Sequence, residues 1–149
     1  MGNCIITGEY KNTLDEKGRI MFPAKIRADL PDPRLIVTRG VDNCLWFFTP
    51  EEWKKLSDKV METASLFKAE SRSVVRRLIA PAQEVEFDKT GRVSVPQSLR
   101  EYAGLEKDCV ILGLYKYFEL WDEKKYGQYL KESESEFLSA SEGLGEIGL

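Results

Sequence analysis

Apolar residues alternate with polar residues in two parts of the chain, and each part predicts a pair of short strands with one buried face. Within each pair, the strands are separated by a polar stretch that contains glycine, which is typical of a tight turn. The alternating apolar positions are Tyr10, Leu14, Ile20 and Phe22 in the first part, and Val85, Phe87, Val93 and Val95 in the second.

These two parts belong to an internal repeat with a shift of 73 residues. LDEKGRIMFPAKIR, from Leu14, lies over FDKTGRVSVPQSLR, from Phe87, and the alignment of 14–53 with 87–126 needs no gap. Seven of the 40 aligned positions are identical, where average composition gives roughly two or three by chance. The identical pairs are Asp15/Asp88, Gly18/Gly91, Arg19/Arg92, Pro23/Pro96, Arg27/Arg100, Val37/Val110 and Gly40/Gly113.

Each copy predicts the same series of elements. The D-x-x-G-R stretch is expected to form a turn, in which glycine takes a positive φ and aspartate hydrogen-bonds the backbone. Pro23 and Pro96 then end the returning strand and begin a short helix. Apolar, β-branched strands follow, LIVTRG and CVILG, and the last strand of each copy is CLWFFT or YFELW.

Helices are predicted between the copies and after the second copy. Thr49-Pro50-Glu51-Glu52 is a capping box, and apolar residues then recur at three- and four-residue steps. A second helix is expected over 70–80, which makes the linker 50–80 helical, and Asp122 is expected to cap a last helix. The acidic tail, 131–149, is rich in Ser, Glu and Gly and is expected to be disordered.

The predicted fold class is α+β. A two-stranded hairpin with one short helix cannot bury its apolar face alone, whereas two copies can close on each other. We therefore expect residues 1–130 to form one small β-barrel with pseudo-twofold symmetry. Its two copies, at about 9–53 and 82–126, would be interleaved.

Composition and charge limit the chemistry that the chain can carry. It has no histidine and only three separated cysteines, Cys4, Cys44 and Cys109, so we expect no disulfide framework, no metal site and no cofactor. Neither a membrane-spanning run nor a secretory signal is present, which favours a cytoplasmic protein. One Lys and five Glu lie in 131–149, whereas residues 1–130 carry 21 basic and 20 acidic groups. Any nucleic-acid site must therefore be a focused patch.

The cations of the two turns are the candidate binding groups. Arg19 and Arg92 end the turns, Lys17 and Lys89 lie within them, and Gly18 permits close backbone approach. Arginine suits guanine edges and phosphates, and a β-hairpin fits the major groove of DNA. The alternative is structural, because each arginine could instead pair with the aspartate of its own turn. The turn-structuring residues are then Asp15, Asp88 and Gly91.

An enzymatic alternative would use Asp15 and Asp88 as a pair related by the pseudo-twofold axis, as in proteases that share a proton between two carboxyls. The neighbouring cations would keep both carboxylates ionised and oppose that chemistry. No Ser-His or Cys-His pair is possible without histidine, and no phosphate-binding loop motif occurs. We therefore expect no enzyme, no catalytic residues and no small-molecule substrate.

The stretches EYKNTLDEKGRIMFPAKIR, FDKTGRVSVPQSLREYAGLEKDCVILG and FELWDEKKY resemble the MraZ family, the two-copy branch of the AbrB/MazE-like swapped-hairpin superfamily. The resemblance runs from about Tyr10 to Leu130. It implies a double-split, swapped-hairpin barrel and a homo-oligomeric ring. It also implies a nucleoid-associated transcription factor that reads short direct repeats in the promoter of the division and cell-wall gene cluster containing its own gene.

Carried over by the resemblance, the DNA-contacting residues are Lys17, Gly18 and Arg19 in the first copy and Lys89 and Arg92 in the second. The superfamily also contains protein-interaction and antitoxin-like modules, so a scaffold of the same fold without specific DNA binding remains the alternative. A sequence-specific regulator would bind its cognate DNA duplex more tightly than a random duplex, whereas a scaffold would show no such preference.

Overall fold

The structure is a computed structural model that describes residues 5–148. The strands are β1 (Ile6–Thr13), β2 (Arg19–Met21), β3 (Arg34–Arg39), β4 (Leu45–Phe48), β5 (Gln83–Glu86), β6 (Arg92–Ser94), β7 (Asp108–Tyr115) and β8 (Phe118–Asp122). The helices are α1 (Ala24–Asp29), α2 (Pro50–Thr63), α3 (Ala69–Val74), α4 (Gln97–Ala103), α5 (Glu123–Glu132) and α6 (Glu134–Leu144). A π-helical turn, Val75–Ile79, continues α3, and a 3₁₀ turn, Gly145–Ile147, follows α6.

The strands form a six-stranded antiparallel sheet in the order β1-β7-β8-β4-β3-β5 and a separate two-stranded ribbon of β2 and β6. The copies are interleaved, because β1 of the first copy pairs with β7 of the second, and β5 of the second pairs with β3 of the first. The α+β class and the two copies are as predicted. The sheet of the described residues is open, with β1 and β5 at its edges, so a closed barrel is not found.

A pseudo-twofold axis relates the two copies. The strand order of the large sheet reads the same from either end when each strand is replaced by its counterpart. The axis passes between Ile20 and Val93 in the ribbon and between Trp46 and Glu119 in the large sheet, which are paired residues 73 positions apart. The ribbon therefore contains one strand from each copy, and the two strands meet at the axis.

The register corrects one part of the sequence repeat. Thr13 pairs with Asp108, whereas its counterpart Glu86 pairs with Arg34, so β3 and β7 correspond with a shift of 74 rather than 73. The alternation of buried positions agrees, because Leu35 matches Cys109 at that shift. The identities Val37/Val110 and Gly40/Gly113 are therefore not structural counterparts, and the gapless alignment was wrong across this strand. The slip arises because α4 has seven residues and α1 has six, whereas the connections from each helix to the next strand have equal length.

The core lies between the ribbon and the large sheet. The inner positions of the ribbon and of the residues that follow it are buried, since Ile20, Phe22 and Val93 are fully inaccessible and Val95 is 3% exposed. The Phe22 ring makes edge-to-face contacts with Phe47, Phe87 and Phe118 at centroid distances of 5.3, 5.5 and 5.7 Å. This packing holds the ribbon on the sheet and leaves the other face of the ribbon to solvent.

Each copy ends in its own helices. Thr49 Oγ1 accepts a hydrogen bond from the Glu52 N–H and caps α2, and Asp122 Oδ2 accepts from the Lys125 N–H and caps α5, as the sequence predicts. The helix α2 follows β4 as α5 follows β8, so the predicted linker 50–80 is the helical end of the first copy. The structure also differs from the expected disordered tail, because α6 and the 3₁₀ turn occupy 134–147.

Candidate nucleic-acid interface

The first turn, Asp15 to Arg19, is organised by the Asp15 side chain. Its Oδ1 accepts hydrogen bonds from the N–H groups of Lys17 and Arg19, each at 2.9 Å, and its Oδ2 accepts from Arg19 Nε at 2.8 Å. The Gly18 N–H donates to the Asp15 carbonyl at 3.0 Å, and Gly18 has a φ of 78°. Glycine is required here because this backbone conformation is costly for residues with a Cβ.

The second turn, Asp88 to Arg92, repeats this geometry. The Oδ1 of Asp88 accepts from the N–H groups of Thr90 and Arg92 at 2.9 and 3.0 Å, and its Oδ2 accepts from Arg92 Nε at 2.9 Å. The Thr90 hydroxyl adds a hydrogen bond to the same Oδ1 at 2.8 Å. Gly91 has a φ of 89°. Two turns of one design therefore flank the ribbon.

The two turn arginines lie close together on the outer face of the ribbon. Arg19 pairs with Ser94 and Met21 with Arg92 across β2 and β6, so these four alternate with the buried Ile20 and Val93. Asp15 Oδ2 is also 3.8 Å from Arg92 Nη1, which places its carboxylate between both guanidiniums. The side chains of Arg19 and Arg92 are 27% and 30% exposed.

The structure thus contains the Asp–Arg pairs that the structural alternative predicts, in which each arginine pairs with the aspartate of its own turn. Both guanidiniums are nevertheless partly exposed to solvent. Each arginine donates from Nε to the aspartate of its own turn, and a guanidinium carries five N–H donors in total. One aspartate can therefore orient the arginine while other donors of the same group remain for a ligand. Lys17 and Lys89 are exposed in the same turns.

Both aspartates are ionised near neutral pH. The pKa of the Asp15 carboxyl is lowered first by the hydrogen bond from the Arg19 N–H, with further lowering by the Arg19 side chain and the Lys17 N–H against partial burial. The pKa of the Asp88 carboxyl is lowered in the same way, first by the Arg92 N–H. A proton shared between these two carboxyls, which the enzymatic alternative needs, is disfavoured by this environment.

Arginines from the opposite copy lie beneath the two turn glycines. A Cβ placed on Gly18 would lie 2.5 Å from Cζ of Arg100, which belongs to α4 of the second copy. A Cβ placed on Gly91 would meet the guanidinium of Arg27, which belongs to α1 of the first copy. Both glycines are buried by this contact.

Backbone hydrogen bonds cross between the copies at the same places. The Val95 N–H donates to the Gly18 carbonyl at 2.9 Å, and the Phe22 N–H donates to the Gly91 carbonyl at 3.1 Å. Each turn is thus supported by the segment that leads into the helix of the other copy. Arg27 and Arg100 were not among the predicted site residues, although the presence of arginine at this position in both copies was a signal.

Other chemistry is sparse in the described part of the chain. Residues 5–148 hold no group of three or more Cys, Asp or Glu side chains arranged to bind a metal ion, and none of their helices is long and apolar enough to cross a membrane. Cys44 and Cys109 are buried, and burial raises the pKa of the Cys109 thiol to about 12. Such thiols are poor nucleophiles at neutral pH, and Cys4 lies outside the described residues.

Known proteins with similar sequences agree with the duplicated architecture. The family model described as MraZ protein, putative antitoxin-like, matches the chain twice, over residues 5–77 and 78–144. The chain belongs to the MraZ family. Each MraZ segment contains the helices that follow the last strand of its copy, so α2 and α3 belong to the first unit, and α5 and α6 to the second.

Curated MraZ relatives match almost the whole chain. A protein of Treponema denticola named transcriptional regulator MraZ is 72% identical over 143 residues, which are 96% of this chain and 99% of the relative. A Treponema pallidum protein of the same name is 52% identical, with 96% of each chain covered. A third, from Halothermothrix orenii, is 45% identical over 95% of this chain and 98% of the relative.

Proposed function

We propose that this chain is a transcriptional regulator that binds double-stranded DNA through its two D-x-x-G-R turns, and that it is not an enzyme. The main observation that supports this proposal is that two turns of the same geometry place Arg19 and Arg92 close together. Both lie on the solvent-facing side of a two-stranded ribbon. A two-stranded ribbon has the width of the major groove, and arginine binds guanine edges and phosphates. The names of the curated relatives support this proposal.

The local charge favours a nucleic acid even though the chain carries a net charge of −3. The two turns hold four basic side chains against three acidic ones, and two of the acidic side chains are paired with the arginine of their own turn. The basic residues are Lys17, Arg19, Lys89 and Arg92, and the acidic residues are Asp15, Glu16 and Asp88. A focused positive patch attracts a phosphate backbone where the whole molecule does not.

We extend the proposal to an oligomeric ring, in which several ribbons engage short direct repeats together. Both copies expose apolar side chains on their helices, which monomeric proteins rarely do over a contiguous area. On α2, α3 and the loop between them these are Met61, Leu66, Phe67 and Val74, and on α5, α6 and the 3₁₀ turn they are Leu130, Phe137, Leu138, Leu144 and Ile147.

The charges of the two helical faces are opposite. Arg72, Arg76 and Arg77 lie on α3 and its π-helical turn, whereas Glu134 and Glu136 begin α6. Two different faces that complement each other form head-to-tail contacts, which close into rings or continue as filaments. A rigid ring presents many turns at high effective concentration, so weak single contacts suffice. We further propose that the ribbon and the large sheet, whose two copies are interleaved within one chain, are the double-split, swapped-hairpin barrel that the family resemblance implies.

The DNA target that we propose is the region upstream of the chain's own gene, within the division and cell-wall cluster that the family resemblance implies, so the protein would act at the nucleoid. In a gel-shift titration, the wild-type protein is expected to bind this duplex more tightly than a shuffled duplex of equal length. Replacing Arg19 or Arg92 with alanine is expected to weaken cognate binding by about 10- to 100-fold, since a bidentate arginine contributes about 1–3 kcal/mol of discrimination.

Lys54→Ala is the matched control, because Lys54 is an exposed, ion-paired cation on α2, outside the turns. Its cognate affinity should equal that of the wild type, and every variant should keep the native oligomeric mass. Wild-type binding that shows no preference for the upstream duplex would instead favour the scaffold or antitoxin-like alternative.

The ring has its own test. Light scattering on the wild type is expected to give a mass that is several times the 17.1 kDa of one chain. Phe67 is 94% exposed, so Phe67→Glu should leave the fold intact and lower that mass by placing a charge in the subunit contact. Lys54→Glu, on the same copy, should not lower it. A wild-type mass of one chain would refute the ring while leaving DNA binding by the monomer open to the gel-shift assay.

A further inference from the structure

We propose that each DNA-reading turn is positioned by an arginine of the other copy, Arg100 for the first turn and Arg27 for the second. This inference rests on the proposed DNA-binding function. Neither arginine is assigned to direct DNA contact. The role proposed for both is to hold the glycine of the opposite turn.

The first observation is the contact with the turn glycines. Gly18 and Gly91 are buried, and the atoms nearest to the position of the missing Cβ are Cζ and a guanidinium nitrogen, of Arg100 at Gly18 and of Arg27 at Gly91. Each guanidinium therefore occupies the space that any larger residue at the glycine would need. The arginine thus fills the space beneath the turn and supports its outward presentation.

The second observation is that the contact forms part of a two-way connection. On the first turn, the Gly18 carbonyl accepts from the Val95 N–H, and Arg100 is one helical turn further along the same segment. On the second turn, the Gly91 carbonyl accepts from the Phe22 N–H, and Arg27 Nε donates to the Phe22 carbonyl at 3.0 Å. Each turn is thus fixed to the opposite copy by a backbone bond and a side-chain contact.

The third observation is an asymmetry between the two sites. Arg100 Nε is buried and has no hydrogen-bond partner among the described residues, whereas Arg27 Nε has the Phe22 carbonyl. A buried, unpartnered N–H lowers stability. Packing of the guanidinium against Gly18, rather than a bond from Nε, therefore holds Arg100 in place, and the first turn depends on the planar shape of this group.

Lysine separates a positioning role from a phosphate contact, because it keeps the charge and lacks the plane. Arg100→Lys is expected to weaken binding to the upstream duplex about tenfold, as does Arg100→Ala. In both variants, the slope of log Kobs against log salt should stay within about 0.3 of the wild type. A direct phosphate contact would reduce the slope by about 0.9 on replacement by alanine and would be largely retained by lysine; that pattern would overturn the proposal.

The crossing between copies is tested without DNA, by amide hydrogen exchange on the intact protein. Arg100→Lys should speed exchange at the Lys17 and Arg19 amides, which Asp15 holds in the first turn, and leave Thr90 and Arg92 unchanged. Arg27→Lys should instead speed exchange at the Thr90 and Arg92 amides and leave Lys17 and Arg19 unchanged. This variant provides the test if the Arg100 variant does not fold. Equal changes in both turns, or a change only in the turn of the same copy, would refute the crossing.

A double-mutant comparison connects exchange with binding. Arg100→Lys and Lys17→Ala act on the same turn, so their combined loss of affinity should be smaller than the product of the single losses. Arg100→Lys and Lys89→Ala act on different turns, and their losses should multiply. If the wild type shows no preference for the upstream duplex, the DNA-binding proposal fails, whereas the exchange experiment still decides whether the turns are held from the opposite copy.

Discussion

Replacing Phe22 with alanine is expected to lower the free energy of unfolding by about 3–5 kcal/mol, the usual cost of removing a fully buried phenylalanine. Phe22 is inaccessible to solvent and contacts the rings of Phe47, Phe87 and Phe118. Two of those three rings belong to the second copy, so the cavity would open where the copies meet. Aromatic contacts of this kind contribute beyond the area that they bury.

The counterpart of Phe22 in the second copy is Val95, which is 3% exposed. A large residue on one side of the axis is thus matched by a small one on the other, and the shared core is asymmetric. Val95 cannot supply the atoms that Phe22→Ala removes, because its position is already filled by its own close packing. Compensation from the second copy is therefore not expected.

Chemical denaturation at a fixed protein concentration measures the effect, since oligomerisation makes stability depend on concentration. Met21→Ala is the control, because Met21 ends β2 directly before Phe22 and is 38% exposed on the outer face; its change in the free energy of unfolding should stay below about 1 kcal/mol. A loss below about 1 kcal/mol for Phe22→Ala would mean that the ribbon does not pack on the sheet as described.

The turns were the most predictable part of the fold. Asp15 and Gly18 each have a local physical reason for their position, since one accepts turn amides and the other takes a positive φ. Such reasons act within five residues and survive any tertiary arrangement. The helix caps at Thr49 and Asp122 were predictable for the same reason.

The strand that follows each short helix was less predictable. Identity of Val37 with Val110 favoured a gapless repeat, but α4 has seven residues and α1 has six, so β7 begins one residue later than a gapless repeat predicts. Because side chains alternate with a period of two, a slip of one residue exchanges the buried and exposed faces. The alternation of burial, with Leu35 matching Cys109, resolves this only when the paired strands are known.

The tail and the arginines beneath the turns show two further limits of sequence analysis. Polar composition predicted disorder after residue 131, yet α6 continues the helical end of the second copy as α3 does in the first. The contacts of Arg27 with Gly91 and of Arg100 with Gly18 join residues more than 60 positions apart. Neither spacing nor periodicity contains that information, because it arises from the interleaving of the copies.

Gly18→Ala is expected to destabilise the protein by about 1–2 kcal/mol and to impair DNA binding as well. The left-handed backbone at a φ of 78° costs an alanine about 1–2 kcal/mol. The added Cβ would also lie 2.5 Å from Cζ of Arg100, so the end of that side chain would have to shift away from the turn. Gly91→Ala should show a similar loss, because Arg27 occupies the equivalent space.

Gly127→Ala is the matched control for this change. Gly127 lies inside α5, and no atom lies within 4 Å of the Cβ that it would acquire, so alanine should stabilise the protein by about 1 kcal/mol through helix propensity. A loss of stability for Gly18→Ala and a gain for Gly127→Ala would separate the special conformation of the turn from any general effect of adding a methyl group. A Gly18→Ala variant as stable as the wild type, with unchanged affinity for the upstream duplex, would show that neither the left-handed turn nor the Arg100 contact is needed to present Arg19.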